Sequence, residues 1–277
     1  MIAKAFKKSI FYILLTIGAF IMLIPFLWLL SNAFKTPENI LRIPPQFIPR
    51  PFTVENFKVV WEKLSFLQYT LNSFLIVSLD ILGVVLSASL VGFGFAMFEF
   101  RGKKILFTLM LATMMMPSQV TMIPNYFIWS KLGLLDTYAP LIIPSFLGSA
   151  FGIFLLHQNY KSLPGVLYES ALIDGCNPLT ILFRIYLPLS VPSLTTLGIF
   201  TFIGAWNNTM GPLLYLKSRS LYTLTLGLLT LNSSPEADAN MGIRMAGAVI
   251  TMAPVIIIFL FAQRYFVEGI ASTGIKG

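Results

Sequence analysis

The sequence is poor in charge. Of its 277 residues only 11% are Asp, Glu, Lys or Arg, where soluble domains carry about 25%. Hydrophobic residues make up 56% and the mean hydropathy is +0.81, which excludes a water-soluble domain and marks an integral membrane protein. Cysteine occurs once, at Cys176, so no intramolecular disulfide staples the external loops. Histidine also occurs once, at His157. No Cys, Asp or Glu stands at ligand spacing around it, so no metal site is expected and His157 is assigned to the cytoplasmic interface. A membrane enzyme lacks the His, Cys or acidic cluster it needs at one depth. No G-x-x-x-x-G-K-[ST] stretch occurs, so the chain cannot hydrolyse ATP on its own. Internal repeats are absent, as is the inverted pair of broken helices that marks many secondary carriers. The first apolar run is too long for a cleavable signal, and no small-residue cleavage site follows it.

What is present is a succession of long apolar runs, predicting an all-α integral membrane fold with about six spans. The first, residues 9–34, follows Lys4, Lys7 and Lys8 and contains Pro25. Residues 35–63 are polar and proline-rich. Phe47, Ile48, Phe52, Phe57 and Trp61 within them predict an external segment that packs and ends in a short helix begun by Thr53. A second span covers about 69–98, with Ser73, Asp80, Gly83, Ser87 and Gly94 near one face. Asp80 reads either as a proton or cation site or as a hydrogen-bonded acid on a packing face. With no basic partner at its depth, the second reading is favoured.

The short basic loop of Arg101, Gly102, Lys103 and Lys104 sets the orientation, because such loops stay inside. A third span from Ile105 is interrupted at Met116-Pro117 and at Ile123-Pro124, and broken spans often line a cavity. The fourth covers 138–160. The fifth covers 191–216 and carries Trp206-Asn207-Asn208, amides that need partners. They can bind a polyhydroxylated solute, with the Trp face stacked on it, or bond between helices. Residues 217–244 are read as an external loop, and the last span, 245–263, leads to Arg264 and Glu268. Both termini then lie inside. The net charge of +8 and sequence pI of about 9.6 suit a cytoplasmic lipid surface rather than nucleic acid.

Residues 162–192 alone between the spans read as compact structure. Ser162 is expected to N-cap a helix with Pro164 in its first turn. Val166, Leu167, Ser170, Ala171 and Asp174 form one stripe, and Gly175 stops the helix. Asn177-Pro178 starts a second helix, which Leu187-Pro188 breaks.

Glu169-Ser170-Ala171, then Asp174-Gly175, then Ile185-x-Leu187-Pro188 resembles the EAA loop of bacterial ABC importer permeases. Ser170 stands where that family usually has Ala. The resemblance, to the carbohydrate (maltose-type) branch, extends to Pro25-Phe26-Leu27-Trp28, 31–36, Asn72-Ser73, 100–104, Met116-Pro117, Ile123-Pro124, 150–155, Trp206-Asn207, Ala246-Gly247-Ala248 and 263–269. Glu99 departs from a common basic residue, and Asn208 from a common Asp.

The resemblance implies one permease domain, 1–277, with a coupling loop over about 162–190 that docks on a cytoplasmic ATPase. It implies a second homologous permease subunit, two ATPase subunits that bind ATP and Mg, and an extracytoplasmic solute-binding protein delivering a sugar. This chain would carry no cofactor. It would be a multi-pass protein of a bacterial or archaeal inner or plasma membrane. Gly274, Ile275, Lys276 and Gly277 resemble a tail that inserts between the ATPases, and Met116, Pro117, Trp206, Asn207 and Asn208 are candidates for the solute pathway. The rival readings are an importer permease for a non-sugar solute, such as a glycerol phosphate, and an ion-coupled carrier using Asp80.

Overall fold

All regular structure among the described residues is helical. The computed structural model describes residues 2–63, 65–233, 235 and 240–274, of which 2–7, 9, 63 and 262–274 by backbone alone. In chain order the helices are α1 (Ile2–Ala33), α2 (Pro37–Ile40), α3 (Glu55–Lys58), α4 (Phe66–Met97), α5 (Lys103–Thr113), α6 (Ser118–Lys131), α7 (Ala139–Phe146) and α8 (Ala150–Ser162). There follow α9 (Val166–Ile173), α10 (Pro178–Ile181), α11 (Leu187–Leu189), α12 (Val191–Trp206), α13 (Met210–Tyr215), α14 (Leu224–Leu231) and α15 (Met241–Gly274). Among the described residues, Ile10–Ala33, Phe66–Met97, Ala139–Ser162 and Met241–Phe261 are long and apolar enough to cross a bilayer. Two bent pairs bring the number to as many as six: α5 with α6, at 98°, and Pro178–Leu189 with α12, at 82°.

The break before α6 falls at Met116-Pro117, where the sequence puts it. The expected second break is absent, because Pro124 lies inside α6 and its fixed φ suits a helix even though one N–H is lost. At 1.5 Å per residue α5 reaches only about 16 Å, half a bilayer core, so it cannot cross alone. The fourth span is interrupted at Gly148, whose φ of +114° no larger residue adopts easily. Ser149 then caps α8 by accepting the Gly152 N–H at 3.2 Å. The fifth is shorter than expected, since α12 ends at Trp206.

Two compact units divide the chain. The first, Met1–Leu67 with Gly227–Pro254, holds the predicted external segment. Its aromatic residues pack in part, while Ile48 and Trp61 stay exposed. Phe34 stacks on Phe52 with centroids 4.7 Å apart, and Trp28 meets Phe47 at 5.8 Å. The Lys35 side chain is buried, its Nζ 4.4 Å from the Trp28 ring centroid and donating to Asn32 Oδ1 at 2.7 Å. Asn56 ties this segment together, donating to the carbonyls of Ala33 and Lys35 at 2.9 and 2.8 Å and accepting from Asn240 at 2.7 Å. Thr53 accepts the Glu55 N–H at 3.1 Å just before the short helix, whose N-cap is Val54 rather than Thr53.

The second unit, Gln68–Leu226 with Val255–Gly277, contains the main core. There α4 packs on α7, α8 and α12. Gly152 lets α8 close in, since a Cβ there would sit 3.0 Å from Ala88 Cβ and 3.2 Å from Leu197. Ser87 donates to the Ser145 carbonyl at 3.0 Å, and the Ser145 hydroxyl donates to Asp80 at 2.6 Å. Asp80 is thus the hydrogen-bonded acid of a packing face, the reading the sequence favours.

The stretch 217–244, expected to be a loop, contains a helix among its described residues, α14. Leu224, Leu226 and Leu231 of α14 are buried, and charge-free Leu224–Leu231 has no reason to stay in water. Asn72 and Ser73 anchor its approach. Asn72 Nδ2 donates to the carbonyls of Ser220 and Tyr222, both at 2.9 Å, and Ser73 Oγ accepts the Leu224 N–H at 2.8 Å.

Candidate functional site

The segment between α8 and α12 is two helical limbs joined by a tight turn. Ser162 does not cap the first limb. It is the last residue of α8, its hydroxyl donating back to the Asn159 carbonyl at 2.7 Å. Leu163 and Pro164 leave the helix, and α9 begins beyond Gly165 without a side-chain cap.

At the end of α9 the Cys176 N–H bonds the Ala171 carbonyl and the Gly175 N–H bonds the Leu172 carbonyl, both at 3.0 Å. That double closure requires a left-handed residue between, and Gly175 supplies it with φ +80°. Asn177 then caps α10 by accepting the Thr180 N–H at 2.8 Å, with Pro178 in the first turn. Both limbs are therefore fixed by their own hydrogen bonds, as the sequence predicts.

The second limb runs past Leu187-Pro188, against expectation. Residues Leu182–Tyr186 widen to a π turn, and the Leu187 N–H reaches the Leu182 carbonyl. Pro188 has no N–H to lose, so the widened turn accommodates it. The chain bends at Ser190 instead, where Pro192 opens α12.

One face of this segment is rooted in the core. Ala171, Ile181, Leu182 and Tyr186 join Phe93, Leu156, Tyr160 and Leu197 in one buried cluster. Phe93 is its hub, meeting Tyr160, Tyr168 and Tyr186 edge to face at 6.0, 6.0 and 5.1 Å. The expected stripe is only partly realised, because Ala171 alone of α9 is buried. Glu169, Ser170, Asp174 and Gly175 are exposed, and so are apolar Val166 at 70%, Ile173 at 86% and Leu179 at 58%. Ile185 and Leu187 are half-buried and Pro188 is exposed.

Of the solute-pathway candidates, Trp206 is 2% exposed, with Phe202 stacked at 5.4 Å and Phe74 edge-on at 5.0 Å. Its ring is packed rather than presented. Among the described residues, the bonds of both side-chain amides are local. Asn207 Nδ2 donates to the Ile203 carbonyl of its own helix at 2.9 Å, and Asn208 Oδ1 accepts the Gly211 N–H at 3.0 Å. Both residues are exposed, as are Met116 and Pro117 at the bend between α5 and α6. His157 lies against Phe107 with ring centroids 4.6 Å apart. Glu99 pairs with Lys103 at 2.7 Å, and that hydrogen bond holds its carboxyl below the usual range. Gly274 ends α15, and Ile275, Lys276 and Gly277 lie outside the described residues, as do the side chains of Arg264 and Glu268.

Residues 83–272 match the family of the binding-protein-dependent transport system inner membrane component. The chain belongs to this family. It is the inner-membrane permease of a binding-protein-dependent ABC importer, a transport protein and not an enzyme. The permease is 36% identical over 273 residues to the arabinooligosaccharides transport system permease protein AraQ of Halalkalibacterium halodurans, covering 95% of this chain and 96% of that one. It is 29% identical over 268 residues to the sn-glycerol-3-phosphate transport system permease protein UgpE of Yersinia pestis, covering 95% of each. Its fold matches a chain in the crystal structure of a bacterial ABC transporter involved in the import of the acidic polysaccharide alginate. There the TM-score is 0.84 at 24% identity, over 94% of this chain and 96% of that one.

The aromatic hub was not read from the sequence. Phe93, Tyr160, Tyr168 and Tyr186 sit on four separate elements, and no local period connects them.

Proposed function

We propose that this permease serves the ATP-driven import of a sugar or oligosaccharide, acting as one domain beside a second, homologous permease. Two ATPase subunits bind ATP and Mg, and an extracytoplasmic binding protein delivers the solute. The observation that carries the reading is the α9–α10 turn, which is closed by its own hydrogen bonds, rooted in the core and apolar on its exposed side. Stiffness matters because a soft segment absorbs displacement instead of transmitting it. Closure of the ATPase pair moves the docked turn, and through Phe93 moves α4 and α8 as packed bodies, giving alternating access. Glu169, Ser170, Ala171, Asp174 and Gly175 form the docking limb, and Ile185, Leu187 and Pro188 the return limb. Both termini lie in the cytoplasm, which puts Gly274, Ile275, Lys276 and Gly277 within reach of the ATPases.

The sugar assignment is supported by the arabinooligosaccharides relative, and a glycerol phosphate by the more distant UgpE relative. Asn207 and Asn208, with Met116 and Pro117, are the exposed groups offered for the pathway. Trp206 supports them from within the core. Gly175→Arg tests the coupling role. The variant is expected to reach the membrane at normal levels and to transport nothing. Normal uptake by that variant would remove the loop from the mechanism.

A further inference from the structure

The start of α5 and the end of α8 share one corner of the second unit. Phe107 of α5 lies against His157 of α8 with ring centroids 4.6 Å apart. Lys103 stands one turn before Phe107, and Lys161 one turn after His157. Lys103 dominates the field at the Glu99 carboxyl, by its hydrogen bond and its charge, and Lys161 and Lys104 add to it, so these groups are neighbours. The corner is held firmly. Phe95 of α4 meets Phe100 at 5.8 Å and Phe107 at 5.3 Å. At Gly92 α4 approaches α8 so closely that a Cβ would lie 3.2 Å from the Ile153 carbonyl oxygen.

Charge at this corner is unbalanced. Glu99 is bonded to Lys103 at 2.7 Å and answers that one cation. Arg101, Lys104 and Lys161 are exposed and, among the described residues, form no ion pair. From residue 100 to residue 168 the sequence has a single acid, Asp136, which is held by Lys217 and Ser218. Directly after Lys104 the surface turns apolar, with Ile105, Leu106 and Leu109 exposed at 67%, 52% and 59%. Cations set beside bare apolar side chains at the end of a membrane helix match a phospholipid, charged at its head and apolar below. An acidic protein surface would answer the cations but leave the leucines and isoleucine without an apolar cover.

We propose that Arg101, Lys104 and Lys161 bind one anionic phospholipid, its phosphate against the three cations and its acyl chains on Ile105, Leu106 and Leu109. Arg101 supplies a planar fork suited to phosphate oxygens, and the lysines supply compact charges. Lys161 immediately precedes the residue that ends α8, so the lipid sits at the root of the α9–α10 segment. The site requires only a membrane permease, whichever solute it moves.

The test uses the complete transporter, purified in neutral detergent and offered equal amounts of phosphatidylglycerol and phosphatidylcholine, with retained lipids and subunits weighed by native mass spectrometry. The triple variant Arg101→Gln, Lys104→Gln, Lys161→Gln is expected to retain one phosphatidylglycerol fewer, with phosphatidylcholine unchanged. Each single variant should raise the half-saturating phosphatidylglycerol concentration about fivefold. A control triple, Lys131→Gln, Lys217→Gln, Arg219→Gln, removes the same charge elsewhere and should retain the unsubstituted number. Glycerol phosphate, which lacks the chains, should displace no lipid at equal concentration. Unchanged retention in the first triple overturns the proposal, and so does equal loss from both triples. Displacement by glycerol phosphate would remove α5 from the site and overturn it as well. Loss of ATPase subunits with phosphatidylglycerol kept would assign the cations to a protein contact instead.

Discussion

Phe93 on α4 and Tyr168 on α9 meet edge to face with ring centroids 6.0 Å apart. Through that contact, and those to Tyr160 and Tyr186, a single side chain of a membrane span holds both limbs of the α9–α10 loop. Phe93→Ala leaves a cavity at 3% exposure, a change that costs about 3–5 kcal/mol in packed cores. Phe93→Leu fills most of the volume and loses only the ring-to-ring preference, about 0.5–1.5 kcal/mol per pair. Thermal unfolding of the purified transporter should rank the three chains in that order. Uptake should fall in the same order, because the loop loosens as the hub shrinks.

Gly175 separates backbone strain from bulk. No heavy atom of the described residues lies within 4 Å of where its Cβ would be, so they leave room for a side chain. Its φ of +80° disfavours one, at about 1–2 kcal/mol for Ala and less for Asn, which tolerates the left-handed region. Gly175→Asn should therefore transport nearly normally and Gly175→Ala somewhat less, at matched membrane levels. A dead Asn variant would mean that the partner surface, not the backbone, demands glycine.

Asp136 brackets the turn that follows α6. Its carboxylate accepts the N–H groups of Lys217 and Ser218, both at 2.8 Å, and the Ser218 hydroxyl at 2.5 Å. The Ser218 hydroxyl leads in holding this carboxyl below its ordinary value of 3.8. A lowered value in the folded state means that the bracket stabilises fully above the unfolded value. The contribution is lost as pH falls through the lowered folded value, that is, below about pH 4. The thermal midpoint of Asp136→Asn should trail that of the unsubstituted protein from pH 7 to 5, and the gap should close below about pH 4. A gap that persists in acid would assign the effect to shape rather than charge.

Asp80 offers the sharpest contrast with an ion-coupled carrier. Its Oδ1 accepts the Ser145 hydroxyl at 2.6 Å, a bond that an Asn oxygen also accepts. Uptake by Asp80→Asn should stay within about twofold of normal, since no hydrogen bond is lost. Loss of uptake would return the carboxylate to the mechanism.

Chemistry confined to a few adjacent residues was legible in the sequence. Gly175, Asn177-Pro178 and Met116-Pro117 each act on their own backbone, so their turns and breaks fall where expected. The expected cap at Ser162 fails because a serine before Pro164 looks the same whether it starts a helix or ends one. The bend expected at Leu187-Pro188 falls at Ser190 because the π turn of Leu182–Tyr186 absorbs the proline, and only tertiary packing chooses that register. Leu224–Leu231 is too short for a span and so looks like loop in the sequence, yet its start is held by Asn72 and Ser73 from far along the chain. The burial of Trp206 depends on Phe74, which no nearby spacing links to it.

The central claim is that this permease works only as part of an ATPase-bearing complex. It is tested most directly by purifying the affinity-tagged chain in detergent from its native membrane and identifying what accompanies it by mass. A second permease of similar size together with an ATPase subunit is the predicted result. Recovery of the chain alone, or only with copies of itself, would contradict the account.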